Sequence, residues 1–558
     1  MDKTNKALQA GFAAYEKGAF ADARQLLLHI NHPKAVHLLG LIEKSDGNLK
    51  LAVTLLQTAA NLDPRDAEIA SNLALVAIDD GNFELAITEY HRAIRMRPNF
   101  LPTATGLGRL LIDLERYEEA LDVYRTLSKN LPTDVGIRHG LATALLGVGQ
   151  VKEAESIFDG LIREGNIEPQ IRFMRGRARF ELGQLEAAIE DLEFSHAANP
   201  STLTLKALAN TYWMMQDNPS FTELLRKAMP IPELAVSSAE ILRQSGAPET
   251  ALQVLNNNGV VNYQQPDAWW IAASSHIDLK QAGKAETVSR RRLAADPDDQ
   301  PIKRSLIISL LMQGKAEEAM PLVEAMRRAE PNDQLWIAYE ASALRLLGSE
   351  RYDHLVDLER FVRSYELQAP DGFNDIVSFN AAFLEALDKW HRFKAHPLDQ
   401  SLRDGSQTPR DLTSIDDPVI TAFFRALDTP IRAYMADVGD SGNHLLTARN
   451  TGQYKIAGSW SVKLHGGGRH VNHVHPEGWI SSSYYVSVPE ETKTDPQKAG
   501  WIKFAEPPFE TTPQSSPEKW ICPKAGTLVL FPSFLWHGTQ PIHDNSVRVT
   551  APFDVVPA

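Results

Sequence analysis

The chain changes its hydrophobic period once. Up to about residue 365 the apolar pattern is helical and comes in pairs, roughly nine or ten of them. The pairs blur between about 201 and 260, where "MPIPELAVSSAEILRQSGAPETA" keeps a helix-pair character without the full pattern. "ELQAPDGFNDIVSFNAAFLEALDKW" then reads as a break followed by one helix, "HPLDQSLRDGSQT" as a polar loop, and "DPVITAFFRALDTPIRAYMADVG" as helix again. After residue 450 the period becomes that of strands. "SWSVKL", "ISSSYYVSV", "WIKFA", "GTLVLF" and "VRVTAPFDVV" are short, rich in β-branched and aromatic residues, and split by Gly and Pro turns. Many short strands of this kind predict a sandwich or barrel of the jelly-roll type. The expected organisation is a multidomain chain: an all-α array over 1–365 and a second domain over 366–558, with a helical lead-in at 366–450 and a β core at 451–558.

The helical part repeats. Pro64, Pro98 and Pro132 are 34 residues apart, as are Pro297 and Pro331. Twelve residues before each of these prolines stands an alanine: Ala52, Ala86, Ala120, Ala285 and Ala319. Eight before stand the bulky Leu56, Tyr90, Tyr124 and Val323, with Ser289 the exception. Pro200 follows the same phase, with Gly176, Ala188 and Leu192 in place. A 34-residue period of small and large positions closed by proline resembles the tetratricopeptide repeat, a helix-turn-helix unit. The proline suits the start of the next helix, where its missing N–H would lack a partner anyway. A generic helical bundle with chance prolines would not keep five alanines in one phase. The resemblance implies a solenoid with an extended concave surface that binds a protein or peptide.

Composition narrows the class. Lys and Arg number 57 and Asp and Glu 71, a net charge of −14, which argues against a general nucleic-acid partner. A single cysteine, Cys522, can form no internal disulfide or Cys-rich zinc site and fits a reducing compartment. The N-terminal residues lack the apolar core of a signal peptide, and no run of 18 apolar residues occurs, so no membrane span is expected and the cytoplasm is the expected location.

The candidate chemistry lies in "HVNHVHPEGWISSSYYV", residues 470–486. In an extended segment residues two apart share a face, so His473 and His475 can present two imidazoles to one point. His537, in "GTLVLFPSFLWHGTQPI", is a third candidate, and Arg548 follows eleven residues later in "SVRVTAPFD". Iron(II) that activates oxygen takes three protein ligands on one face and leaves the other open. If a 2-oxoglutarate co-substrate fills the open positions, its far carboxylate needs a cation, and the two-pronged guanidinium of Arg548 suits it. Thr550, on the same strand face, adds a hydroxyl. The plainer readings are a solvated Gly-rich loop over "HGGGRHVNHVH", holding His465 and His470, a turn histidine at 537, and an edge-strand charge at 548.

"HVNHVHPEGWISSSYYVSVP" together with "GTLVLFPSFLWHGTQPIHDNSVRVTAPFD" resembles the 2-oxoglutarate and iron(II)-dependent dioxygenases, in particular a bacterial and phage branch with an H-x-H-P motif. "LDQSLRDGSQT" is similar to a stretch preceding that core in repeat-bearing members. The resemblance covers roughly the last 170 residues. It implies a double-stranded β-helix (jelly-roll) fold, iron(II), 2-oxoglutarate and O2 as cofactor and co-substrates, and hydroxylation as the reaction. It implies iron ligation by His537 and co-substrate binding by Arg548 and Thr550, with Tyr485 also touching the co-substrate. The family's usual His-x-Asp is absent. Either His473 and His475 both ligate, giving three histidines, or His475 pairs with Glu477 as a His-x-Glu. A hydroxylase of a protein or peptide recruited by the repeats is the leading expectation. Its rivals are a scaffold with a decayed, non-catalytic barrel, and a three-histidine cupin-type dioxygenase that uses no 2-oxoglutarate.

Overall fold

The computed structural model describes residues 3–98, 100–257, 265–393, 395–398, 400–409, 411–543 and 546–558. Among them, twenty helices from Lys3–Glu16 to Ala316–Ala329 make ten successive pairs, and Gln334–Leu346 follows. The stretch that blurs in sequence still forms helices Thr202–Met215, Asn218–Ala228, Pro232–Gln244 and Pro248–Asn257. No helix is long and apolar enough to cross a membrane among the described residues. The chain divides into two compact units, Met1–Ala178 and Arg179–Ala558, so the later helix pairs share a unit with the strands.

The repeat positions act as their sizes require. All six phased alanines, Ala52, Ala86, Ala120, Ala188, Ala285 and Ala319, are fully buried. A methyl there lets two helices approach closely, and the neighbouring bulky residue fills the space beside them. Tyr124 packs so tightly on Gly140 that a Cβ at 140 would lie 2.2 Å from the ring. Ser289, the exception to the bulky rule, is buried and donates its hydroxyl to the Ala285 carbonyl at 2.8 Å, which removes the cost of burying it. The prolines stand differently from expectation. Pro64 and Pro331 lie in turns three residues before the next helix rather than in its first turn. The helix start belongs instead to an aspartate two residues after the proline. Asp66, Asp134, Asp299 and Asp333 each accept a backbone N–H in the first turn.

The strands form an antiparallel β region. They are β1 (Arg363–Glu366), β2 (Leu402–Gln407), β3 (Tyr454–Ser459), β4 (Val462–His470), β5 (Ile480–Ser487), β6 (Ile502–Phe504), β7 (Lys519–Ile521), β8 (Thr527–Pro532), β9 (His537–Thr539), β10 (Arg548–Thr550) and β11 (Phe553–Pro557). One sheet runs β1-β8-β5-β10-β4-β2, with β11 joining β5 to β3; the other runs β7-β6-β9. This is the jelly-roll architecture, a helical repeat array followed by a two-sheet β domain. Helices Ile376–Asp388, Pro418–Ala426 and Asp428–Val438 cover the larger sheet with a core that includes Phe379, Phe383, Phe423 and Tyr484.

Three expectations need correction. The "polar loop" contains β2, which pairs with β4 from Leu402–His470 to Gln407–Val462; its polar residues hide it because Ser406 is satisfied by His391 at 3.0 Å. (Asp399 of "LDQSLRDGSQT" lies outside the described residues.) The glycine-rich "HGGGRH" is not a solvated loop but the end of β4. "VRVTAPFDVV" is two strands, since the chain passes from β10 to β11 at Ala551 and Pro552.

Candidate metal centre

The site is built where two extended segments meet. His473 and His537 exchange both backbone hydrogen bonds, His473 N–H to the His537 carbonyl at 2.9 Å and the reverse at 3.0 Å. The His475 N–H reaches the Ser533 carbonyl at 3.1 Å, so the second histidine of the near segment is registered on the same turn. That turn, Ser533–Trp536, is almost entirely buried, which fixes the backbone from which His537 projects. Trp536 donates its indole N–H to Ser342 Oγ at 2.9 Å, in helix Gln334–Leu346. The same helix donates the Gln334 N–H to the Pro476 carbonyl at 2.9 Å.

His473, His475 and His537 each offer one ring nitrogen, and these atoms lie within 4.8 Å of one another. The Nδ1 atoms are all engaged outside the cluster. His473 Nδ1 lies 2.9 Å from the Val471 carbonyl, and His537 Nδ1 lies 2.9 Å from the Leu535 carbonyl. Carbonyls only accept, so each Nδ1 carries the proton and each Nε2 keeps its lone pair. His475 Nδ1 lies 2.6 Å from the Asp554 carboxylate, which imposes the same tautomer. Burial, aided by the neighbouring imidazoles, lowers the pKa of His473 to about 3 and that of His537 well below its ordinary value. His473 and His537, neutral and with Nε2 lone pairs free, are in the state a divalent metal requires. The donor set therefore fits a metal held on one face.

Glu477 lines the same cavity but supplies none of the clustered ligand atoms. The Gly478 N–H closes a turn onto the His475 carbonyl at 3.1 Å, and Glu477 is exposed on that turn. The carboxylate near the histidines is Asp554, which stands behind His475 and also accepts from Ser481 Oγ at 2.8 Å. Sequence reading passed over Asp554. Its only signal was the strand "FDVV", in which Asp554 is the one acidic side chain. His470 was also set aside. It lines the same cavity, its Nδ1 is 3.1 Å from Ser401 Oγ, and its ring lies 5.7 Å from that of His473.

The cavity has a volume of about 470 Å3 and lies between the two sheets. Arg548 and Thr550 line it from β10, opposite Leu464 and Val462 of β4. The Arg548 side chain is 2% exposed. Its Nη1 donates to the Gly500 carbonyl at 2.5 Å, its guanidinium lies 5.7 Å from the Tyr485 ring, and its Nε has no hydrogen-bond partner. No carboxylate pairs with it among the described residues. The Tyr485 hydroxyl is likewise buried without a formed hydrogen bond. A buried guanidinium with no counter-charge is costly, and an anion in the cavity would relieve that cost. Tyr484 and Trp479 point the other way: Tyr484 bonds Asn380 at 2.6 Å and Trp479 the Leu446 carbonyl at 2.9 Å, both as packing residues.

Separate stretches of the chain match known families. Residues 458–554 match the family described as "Putative 2OG-Fe(II) oxygenase", a span that contains all three histidines, Arg548, Thr550 and Asp554. Residues 37–99, 77–135 and 111–172 match tetratricopeptide-repeat families. No curated protein matches. Among solved structures, a tetratricopeptide repeat protein from Parabacteroides merdae is 19% identical, covers 40% of this chain and 91% of its own, and gives a TM-score of 0.34. PilF of Pseudomonas aeruginosa is 19% identical over 35% of this chain and 89% of its own, with a TM-score of 0.30. YrrB is 20% identical over 34% and 97%, with a TM-score of 0.29. The chain joins tetratricopeptide repeats to a C-terminal domain of that oxygenase family.

Proposed function

We propose that the C-terminal domain is an iron(II)- and 2-oxoglutarate-dependent dioxygenase that hydroxylates a protein or peptide segment recruited by the helical repeats, in the cytoplasm. The observation that carries the reading is the pairing of three inward imidazole lone pairs with a buried, unpaired guanidinium in one cavity. His473, His475 and His537 hold the metal through Nε2. Asp554 orients His475, and Val471 and Leu535 carbonyls orient the other two rings. Arg548 and Thr550 hold the far carboxylate of 2-oxoglutarate, and the Tyr485 hydroxyl is available beside them. Iron bound there supplies oxygen activation coupled to the oxidative decarboxylation of 2-oxoglutarate to succinate. Ile502 and Phe531 give the cavity an apolar wall. Tetratricopeptide repeats generally mediate protein–protein contact, which supports a polypeptide substrate over a small metabolite.

A second reading is favoured by one feature: among the described residues the clustered ligand atoms all come from histidines. A cupin-type dioxygenase with three histidines would need no 2-oxoglutarate. Anaerobic titration of the full chain with iron(II) and then 2-oxoglutarate separates the two, because only the first reading yields a visible charge-transfer band on adding the acid. Arg548→Ala is expected to raise the 2-oxoglutarate concentration needed for the band by at least about tenfold, since a charged hydrogen bond is worth roughly 1.5–3 kcal/mol. Equal dependence in both proteins would remove Arg548 from the co-substrate site, and no band in the wild type would favour the cupin-type reading. Glu477→Ala is expected to leave iron binding intact, and loss of iron in that variant would return Glu477 to the ligand set.

A further inference from the structure

A second cavity, of about 620 Å3, adjoins the metal site within the same compact unit. Trp213, Arg243 and Asp278 line it from the helical repeats, and His396, Gln400 and Arg403 from the segment entering β2. Gln400 lines both this cavity and the metal cavity, so the two meet there. The wall is anchored. The Trp213 indole N–H donates to the His396 carbonyl at 2.8 Å, Arg392 donates to the Leu182 carbonyl at 2.9 Å, and Phe393 stacks on Phe180 at 5.0 Å.

Its charges do not balance. Arg243 is paired with Asp278 at 3.0 Å, but its Nε is buried without a partner. Arg403 donates Nη1 to the Gln400 and Leu402 carbonyls, both at 2.6 Å, and no carboxylate pairs with it among the described residues. Arg469, outside this lining, stands directly opposite Arg403 in the β2–β4 register, and its own contact with Asp404 is a loose 3.8 Å. Like charges directly opposite on neighbouring strands are destabilising, and an anion between or beside them would reverse the sign. Burial and Arg403 together lower the pKa of His396 to about 4, so that ring adds no charge near neutrality. Two arginines against one aspartate leave the lining at 2 − 1 = +1.

We propose that this cavity binds a carboxylate side chain of the substrate polypeptide through Arg403 and Arg243, and so selects acidic segments for the metal site. The proposal rests on the dioxygenase reading and names its substrate class. A lining of +1 matches one carboxylate; a phosphate carries about −1.5 to −2 and would be left undercompensated. Gln400 lies in both linings, so a peptide whose acidic side chain occupies this cavity can continue into the metal cavity. The protein's overall charge of −14 repels acidic peptides, so a preference for them must come from a local site.

The test uses the full chain with iron(II) and 2-oxoglutarate under anaerobic conditions. The probes are three fluorescent pools of nine-residue peptides, alike except for Glu, Gln or phosphoserine at the positions flanking a degenerate centre, read by anisotropy. The wild type is expected to bind the Glu pool at least about tenfold more tightly than the Gln pool. The preference should fall to within about twofold in Arg403→Gln and return in part in Arg403→Lys. Equal affinity for the Glu and Gln pools, no measurable binding of the Glu pool, or an undiminished preference in Arg403→Gln would overturn the proposal. Tighter binding of the phosphoserine pool would replace the carboxylate with a phosphate and overturn it equally. The charge-transfer band of the wild type, recorded before peptide is added, reports the dioxygenase reading separately.

Discussion

Tyr124 and Tyr339 are both buried aromatics on repeat helices, and their surroundings differ. Tyr124, in helix Tyr117–Asn130, packs on Gly108 and Gly140 of the neighbouring repeat helices. Tyr339, in helix Gln334–Leu346, packs instead on Trp536 at 5.6 Å and Phe509 at 6.3 Å, both from the β region. The first unit satisfies each repeat with the next one, as a solenoid does. At the end of the array no further repeat is available, and the jelly roll covers the last apolar face. The consequence reaches the metal centre, because Val474, between His473 and His475, and Trp536, next to His537, belong to the cluster that includes Trp336 and Tyr339. The last repeat helix therefore holds both histidine-bearing segments.

This contrast is most severely tested by cutting the chain. A fragment of residues 366–558 loses helix Gln334–Leu346 and exposes Trp536 and Phe509, whereas a fragment of residues 179–558 keeps the whole compact unit. The shorter fragment is expected to be insoluble or to lack a cooperative thermal transition, and the longer one to unfold cooperatively. A well-folded 366–558 with an intact iron site would break the comparison and establish the β domain as independent.

Single substitutions sharpen it. Tyr339→Ala and Tyr124→Ala should each cost about 3–5 kcal/mol in chemical denaturation, the usual price of a large buried truncation. Only Tyr339→Ala should also weaken iron retention, measured by equilibrium dialysis, since Tyr124 supports no ligand segment. Asp554→Asn should lower iron affinity about 10- to 100-fold, as the loss of an outer partner to a ligating histidine generally does, with little change in the far-UV circular dichroism. An unchanged affinity would show that the tautomer of His475 is fixed by something else. The smallest effect is expected at Ser289→Ala. Its hydroxyl bonds only its own helix, so stability should move by less than about 1 kcal/mol.

The legible parts of the sequence were those governed by local period. The repeat phase could be read because each helix pair meets the same neighbours, so Ala52, Ala86 and Ala120 recur in register. β8 could be read because both faces are buried and its residues are apolar or β-forming up to Pro532, and β5 from Ile480 and the Tyr484-Tyr485-Val486 run despite its serines. β2 could not, because it is a polar segment whose strand state depends wholly on β4, about sixty residues away. The aspartates that cap the repeat helices were also in view, two residues after the prolines, but a proline draws attention to itself whereas a cap is defined by the geometry around it.

At the candidate metal centre the residue types are legible in the chain itself: three histidines able to converge, and Arg548 with Thr550 two residues apart on one strand face. It left the choice between His473 and Glu477 open, since both lie two residues from His475. Where each side chain goes depends on contacts between segments distant in sequence. The backbone exchange between His473 and His537 puts those rings together, the turn closed at Gly478 leaves Glu477 exposed and outside the histidine cluster, and Asp554 arrives from a strand 79 residues beyond His475 to meet its Nδ1. Spacing along the chain fixes which faces residues share within one segment. Which segments face each other, and which nitrogen of an imidazole is left free, depend on hydrogen bonds between segments distant in sequence.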